Sequence, residues 1–219
     1  MQFLYYENPQ NNIIITGENH KYLFKVRRIK ANELVKIRNL KDDYLYIYKI
    51  DSINKKEAIL TLQDKISTPN KPTKFLHIAW CIIDPKNIEK TLPSLNEMGV
   101  SKISFVYCDF SQKNFKLKFE RLQKILINSS QQCGRSDMME IEIINSSKEF
   151  FEKYKSFIAI DFNGEKFPCE LNTHDPFLIG PEGGFSQNER NMFKKILKFE
   201  SFILRSETAA CALSAKYLL

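Results

Sequence analysis

The chain is short of glycine, with seven among 219 residues, and it has no internal repeat and no low-complexity tail. No apolar run approaches the ~20 residues needed to span a bilayer, and the first residues lack the basic-then-apolar pattern of a secretory signal. A cytoplasmic protein is expected. Five cysteines (Cys81, Cys108, Cys133, Cys169, Cys211) and three histidines (His20, His77, His174) are scattered, with no CxxC and no Cys/His spacing. That pattern predicts no zinc or other metal site and no disulfide framework, only reduced and mostly buried thiols. There is no GxxxxGK[ST], which excludes a phosphate-cradling P-loop. There is no GxGxxG after a first strand, which removes the dinucleotide fingerprint.

What is present is a foldable, unevenly charged chain. Apolar residues make up 43%, and 17 phenylalanines supply bulk for a core. The net charge is +7, of which residues 1–73 carry +5 (13 Lys/Arg against 8 Asp/Glu) and residues 74–219 carry +2 (20 against 18). A small basic domain beside a nearly neutral larger one is the distribution of a polyanion-binding module joined to a catalytic one.

The two halves also differ in pattern. Residues 1–70 read as short strands at 3–6, 13–16, 33–38, 44–50 and 58–62, with a hairpin loop at 39–43. A helical stretch at 20–28 interrupts them and ends in Arg27-Arg28. This predicts a small, basic, barrel-like β domain. Residues 67–74 (S-T-P-N-K-P-T-K) have two prolines and no large apolar side chain, and read as a linker. From 74 to 219 strands and helices alternate, which implies an α/β domain with a mainly parallel sheet covered on both faces. Strands are expected at 75–83, 103–107, 157–161, 176–180 and 201–204. Asp84-Pro85 starts a helix and Gly99 stops it, with Pro93 an expected kink. Ser186 and Glu189 form an S-x-x-E capping box that opens a helix expected to reach 199, and a last helix is expected over 208–219.

Three of the seven glycines fall in Gly180-Pro181-Glu182-Gly183-Gly184, after an apolar strand and before the capping box. A glycine-rich turn at the carboxyl end of a parallel strand lets backbone approach a ligand closely, and open α/β sheets bind their ligands there. A tight strand-to-helix turn without a ligand has the same composition. The Glu182 carboxylate would repel phosphate and tolerate a cation. A second constellation, Leu204-Arg205-Ser206-Glu207-Thr208-Ala209-Ala210, also marks a strand end entering a helix, with small residues that permit close packing. Arg205 and Glu207 are either a functional pair or partners of one another.

Together G-P-E-G-G-F-S (180–186) and L-R-S-E-T-A (204–209) resemble the RsmE family of small-subunit ribosomal RNA uridine N3-methyltransferases, within the trefoil-knotted SPOUT superfamily. Gln131-Gln132-Cys133-Gly134-Arg135 is similar to that family's E-Q-S-G-R, and Lys86 with Glu97-Met98-Gly99-Val100 to its K…E-L-G-V. His20…Val26-Arg27-Arg28 resembles the H…V-L-R of its PUA-like barrel. The resemblance spans the chain, with Met98 in place of Leu and Gln131 in place of Glu. It implies a knotted C-terminal domain, a homodimer, and S-adenosylmethionine as cofactor. Leu178, Ile179, Gly180, Pro181, Gly184, Leu204, Arg205, Thr208 and Ala209 would form the cofactor site. Arg205 would stabilise charge on uracil oxygens and Glu207, or Glu182, would accept the N3 proton. Arg27, Arg28, Gln132 and Arg135 would contact 16S ribosomal RNA, within the small subunit. A non-catalytic RNA-binding protein with a vestigial knot is the alternative.

Overall fold

The computed structural model describes residues 2–168 and 170–219, so Cys169 lies outside the described residues. Two compact units divide the chain. One runs to Lys71 and includes Ile127–Met138, and the other comprises Pro72–Leu126 and Met139–Leu219.

The first unit is built on β1 (Leu4–Tyr5), β2 (Asn12–Thr16), β3 (Leu34–Arg38), β4 (Tyr44–Ile53) and β5 (Glu57–Ser67). They form one sheet in the order β1-β3-β4-β5-β2. Alternation sends Ile13, Ile15, Val35 and Ile37 inward, where Tyr48, Ile50, Ala58 and Leu60 close the core. Register shifts at Ile47/Tyr48 and Ile50/Ser52 bend the β4–β5 ribbon, the usual device for curling a small sheet. The 39–43 loop is held by the Asn39 carboxamide, whose oxygen accepts from the Lys41 and Asp42 amides. The helical interruption is α1 (Gly17–Lys21) followed by one turn of π-helix (Tyr22–Val26), after which Arg28 takes a left-handed φ of 56°.

The second unit holds β6 (His77–Cys81), α2 (Pro85–Met98), β7 (Lys102–Val106), α3 (Phe119–Cys133, whose end belongs to the first unit), β8 (Glu140–Ile144), α4 (Ser147–Lys153) and β9 (Ile158–Lys166). It continues with β10 (Phe177–Ile179), α5 (Gln187–Arg190), β11 (Ile196–Lys198) and α6 (Ser206–Leu218). All six strands are parallel, in the order β11-β9-β10-β6-β7-β8. Every residue of β6 is buried, as a strand covered on both faces requires. Asp84 caps α2 by accepting from the Lys86 amide, and Gly99 ends it in the left-handed region at φ 95°. The helix runs through Pro93.

Several expectations are corrected. The helix expected to reach 199 is only α5, and the apolar spacing at Ile196 and Leu197 belongs to β11. Gly164 on β9 allows this, because a Cβ there would meet the Ile196 and Leu197 backbone at 2.7 Å. Residues 201–204 are not a strand but an open loop, with Phe202 95% and Ile203 82% exposed. β8 and α4 are additional elements. Cys81 and Cys108 are bonded as a disulfide rather than free. Cys81 is opposite Val106 on the neighbouring strand, so Cys108, two residues further, points to the same side with a Cα–Cα separation of 5.7 Å.

A polar chain crosses the sheet on β6, β7 and β8. The His77 ring nitrogen Nε2 lies 2.7 Å from the Ser104 hydroxyl, which donates to Glu142. Tyr154 and Lys153 also donate to that carboxylate. Burial, reinforced by Lys102, pushes His77 down to about 4 against the pull of Glu142. Burial raises Glu142, but the bonds from Lys153, Ser104 and Tyr154 outweigh it and hold the group at about 2. Both groups therefore bind protons less readily folded than unfolded, so the stability they contribute is lost on acidification. The loss begins below the ordinary histidine value of 6.5 and runs to about 4. A second loss follows between 4.5 and about 2. Melting temperature should fall through both windows, and Glu142→Gln should flatten the lower one. An unchanged melting temperature from neutral pH to pH ~3 contradicts the assignment.

Candidate functional site

The second unit has a cleft of about 970 Å³ where three chain segments meet. They are Ile160–Phe162 on β9, the turn leaving β10 from Ile179 to Phe185, and residues 198–206 leading into α6. In the sheet, Ile179 is in register with Trp80 on one side and Ile160 on the other. Ile160 and Ile179 face the cleft, while Leu178 and its partners Ala79 and Ala159 face the opposite core.

The glycine turn is closed by a bond from the Gly184 amide to the Pro181 carbonyl, with Gly184 at φ 71°. A Cβ on Gly184 would have room, its nearest neighbour being Arg190 Nη2 at 3.6 Å. Backbone conformation, not space, is therefore what requires glycine. The expected capping box is present: the Ser186 hydroxyl accepts from the Glu189 amide and the Glu189 carboxylate from the Ser186 amide. Glu189 also accepts from the Asp109 amide, and the Ser186 hydroxyl donates to Asp109. Arg190 joins two walls of the cleft, donating to the Asp161 carboxylate and to the Phe185 carbonyl.

The start of α6 is fixed by a relay through Ser206. The Trp80 indole donates to Ser206 Oγ at 2.9 Å, and that hydroxyl donates to the Gly180 carbonyl at 2.6 Å. Trp80 is fully buried and Ser206 is 5% exposed.

Of the expected cofactor residues, Ile179, Gly180, Pro181, Gly184, Leu204, Arg205 and Ala209 line the cleft. Leu178 and Thr208 do not. Leu178 points to the other face of the sheet, and Thr208 is exposed on α6 while Ala209 faces the cleft. Arg205 is exposed at the helix N-cap. Glu207 is half-buried outside the cleft lining, and its Oε2 is enclosed without a hydrogen-bond partner. Among the described residues no ion pair joins Glu207 to Arg205, so the reading in which they partner each other is not realised. Burial and the Glu207 carboxylate push the Cys211 thiol up.

The roles of Trp80, Asp161, Arg190 and Ser206 were not anticipated: Ser206 lies within the 204–210 constellation and Arg190 just after the capping box, but their partners are distant in sequence, and Trp80 lies in no motif. In the first unit Arg27, Arg28 and Gln132 are exposed. Arg135 is buried and grips Asp137 with Nε and Nη2 at 2.9 and 3.0 Å, so it is a strut of its loop rather than an open cation. The small residues opening α6 are likewise used within the chain: Ala210 is fully buried and Ala209 nearly so. Among the described residues no helix is long and apolar enough to cross a membrane.

Comparison with known proteins places these features. An RNA methyltransferase domain matches residues 69–217, and an RNA methyltransferase PUA domain matches 15–63. The ribosomal RNA small subunit methyltransferase E of Helicobacter pylori is 41% identical over 95% of this chain and 96% of its own. That of Aquifex aeolicus is 26% identical over 97% of each chain. A solved structure of the Neisseria gonorrhoeae ribosomal RNA small subunit methyltransferase E, bound to S-adenosyl methionine, has a TM-score of 0.79 at 22% identity. It covers 98% of this chain and 95% of its own. A Legionella pneumophila structure in complex with bound SAM has a TM-score of 0.82 at 21% identity, over 98% and 96%.

Ser206→Ala would leave the buried Trp80 donor without a partner and remove the bond to the Gly180 carbonyl at the cleft wall. A buried orphan costs about 1–3 kcal/mol. Chemical denaturation should report a loss in that range, and wild-type stability would show that the relay is dispensable.

Proposed function

The chain belongs to the RNA methyltransferase family that contains the ribosomal RNA small subunit methyltransferase E proteins, and from that premise we propose that it methylates N3 of a uridine in 16S ribosomal RNA, using S-adenosylmethionine. The observation that carries this reading is the cleft at the end of β10, walled by backbone turns and apolar side chains. These residues fit the cofactor. The backbone of the Gly180–Gly184 turn and of the segment before α6 lines the cleft where an adenine edge would lie, with Ile179, Leu204 and Ala209 as apolar walls. The Glu182 carboxylate tolerates a cation, and no lysine-rich cradle marks the turn for phosphate. The bound cofactor supplies an electrophilic methyl group on a sulfonium.

The chain's own contribution is chiefly positioning, which is worth up to ~7–11 kcal/mol when two reactants are held in line. Arg205, exposed at the cleft rim, is placed to donate to uracil oxygens as negative charge develops. Uracil N3 carries a proton that must leave, and a positioned base adds ~10²–10⁴-fold. Glu207 has an acceptor oxygen not committed to structure, and acting on N3 requires its side chain to turn toward the cleft. The barrel domain carries the RNA, through Arg27, Arg28 and Gln132, with Arg135 bracing the loop beside Gln132. The working form is a cytoplasmic homodimer acting on the small ribosomal subunit. The support for a dimer is the apolar surface beside the cleft, where Phe162, Phe202 and Ile203 are 62%, 95% and 82% exposed.

Incubating the purified protein with labelled S-adenosylmethionine and small subunits should yield 3-methyluridine in 16S RNA by mass spectrometry. No label in RNA contradicts the proposal. Gly184→Val should lose cofactor binding and activity together, because left-handed strain of ~1–3 kcal/mol corresponds to roughly tenfold to a hundredfold in affinity. Glu207→Gln should retain cofactor binding while the transfer rate falls and its pH dependence changes. Cofactor loss as severe as in Gly184→Val would make Glu207 a strut, and full activity would place the base elsewhere. Light scattering at micromolar concentration should give a dimer mass, and a monomer mass would remove the second copy.

A further inference from the structure

The segment Gln131–Arg135 builds one wall of a separate cleft in the first unit, about 310 Å³ in volume, through Cys133 and Gly134. The Gln131 side-chain oxygen accepts from the Tyr5 amide and its carbonyl from the Gln2 amide. Asn70 donates from its side chain to the Gly134 carbonyl and from its amide to the Ser136 hydroxyl. The end of α3 is thus sewn both to the start of the chain and to the segment following β5. The facing wall is β3.

Alternation along β3 puts Val35 and Ile37 in the core, and Lys36 and Arg38 both line the cleft. The lining holds these two cations and no carboxylate. Lys36 is exposed and, among the described residues, makes no ion pair. Arg38 is only 5% exposed. Its Nη2 donates to the Thr68 carbonyl and hydroxyl, and its Nη1 has only a long contact of 3.5 Å to the Asp43 carbonyl. All these partners are neutral. The nearby acids are engaged elsewhere: Asp43 pairs with Lys71, and Asp42 accepts from Asn39, Tyr44 and Tyr46. Burial disfavours the Arg38 charge and outweighs the through-space pull of Asp43 and Asp42, neither of which offers it a carboxylate hydrogen bond, so an anion arriving beside it relieves that cost. A phosphodiester is such an anion, with acceptor oxygens matched to an ammonium and a guanidinium.

We propose that this cleft binds a backbone phosphate of RNA, with Lys36 contacting the phosphate oxygens at the rim and Arg38 supplying the buried positive charge. The inference deepens the RNA-methyltransferase reading and rests on it. The test is binding of a short fluorescent single-stranded RNA, by anisotropy over a salt series, to the full chain. Lys36→Ala is compared with Lys55→Ala, an exposed lysine outside the cleft. Loss of one phosphate contact should lower the slope of log affinity against log salt by ~0.7, with RNA affinity reduced on the order of tenfold at low salt. Lys55→Ala should bind as the wild type does, and S-adenosylmethionine affinity should be the same in all three. Wild-type binding by Lys36→Ala, or an equal loss in Lys55→Ala, overturns the proposal in favour of a diffuse basic surface. A wild-type chain that binds S-adenosylmethionine but no RNA overturns the RNA reading itself, and this site with it.

Discussion

One hydroxyl group holds the cleft together. Ser206 accepts from the indole of Trp80 on β6 and donates to the carbonyl of Gly180 at the end of β10, while its own backbone begins α6. Trp80 and Ser206 are 126 positions apart in sequence. Without this bridge, the turn leaving β10 and the loop entering α6 lose the side-chain hydrogen bond that joins them at the cleft. Because Trp80 and Ser206 are buried, the indole N–H depends on this hydroxyl: satisfied, the relay rigidifies the cleft, and half satisfied it costs more than an apolar replacement.

The remaining walls follow from this anchor. Gly184 in the left-handed region turns the chain from β10 into α5. That helix is only four residues long, yet it carries two ties. Arg190 reaches the Asp161 carboxylate on β9, and the Ser186–Glu189 box is bound to Asp109 beyond β7. A short helix has little stability of its own. Here its order comes from these side-chain bonds, which in turn hold the glycine turn. Arg205, Phe202 and Ile203 are exposed on the segment between β11 and α6, which leaves that side of the cleft open.

The legible parts of this design were those encoded locally. The Asp84–Pro85 start and Gly99 stop of α2, the Ser186–Glu189 box and the glycine turn depend on a few adjacent residues and could be read as patterns. The parallel sheet followed from continuous apolar runs such as β6. What could not be read depends on which strands become neighbours. Leu178 and Ile179 are equally apolar, and only the register with Trp80 and Ile160 shows that Ile179 faces the cleft. Ile196 and Leu197 suit a helix or a strand, and the bare backbone of Gly164 on a distant strand decides for β11. The Cys81–Cys108 bond likewise needs β6 beside β7. Arg135 and Arg28 look alike in sequence, but Asp137 draws one of them inside.

The chain's only tryptophan is the donor of the central relay. Its indole N–H therefore reports on the cleft as a single resonance in a proton–nitrogen correlation spectrum. Titrating S-adenosylmethionine into the labelled protein tests most directly whether the space organised by Ser206 is the cofactor site. The account predicts one indole signal protected from solvent exchange, shifting with added cofactor and saturating at one equivalent per chain. An indole signal that exchanges freely, or one that does not move at saturating cofactor, would contradict it.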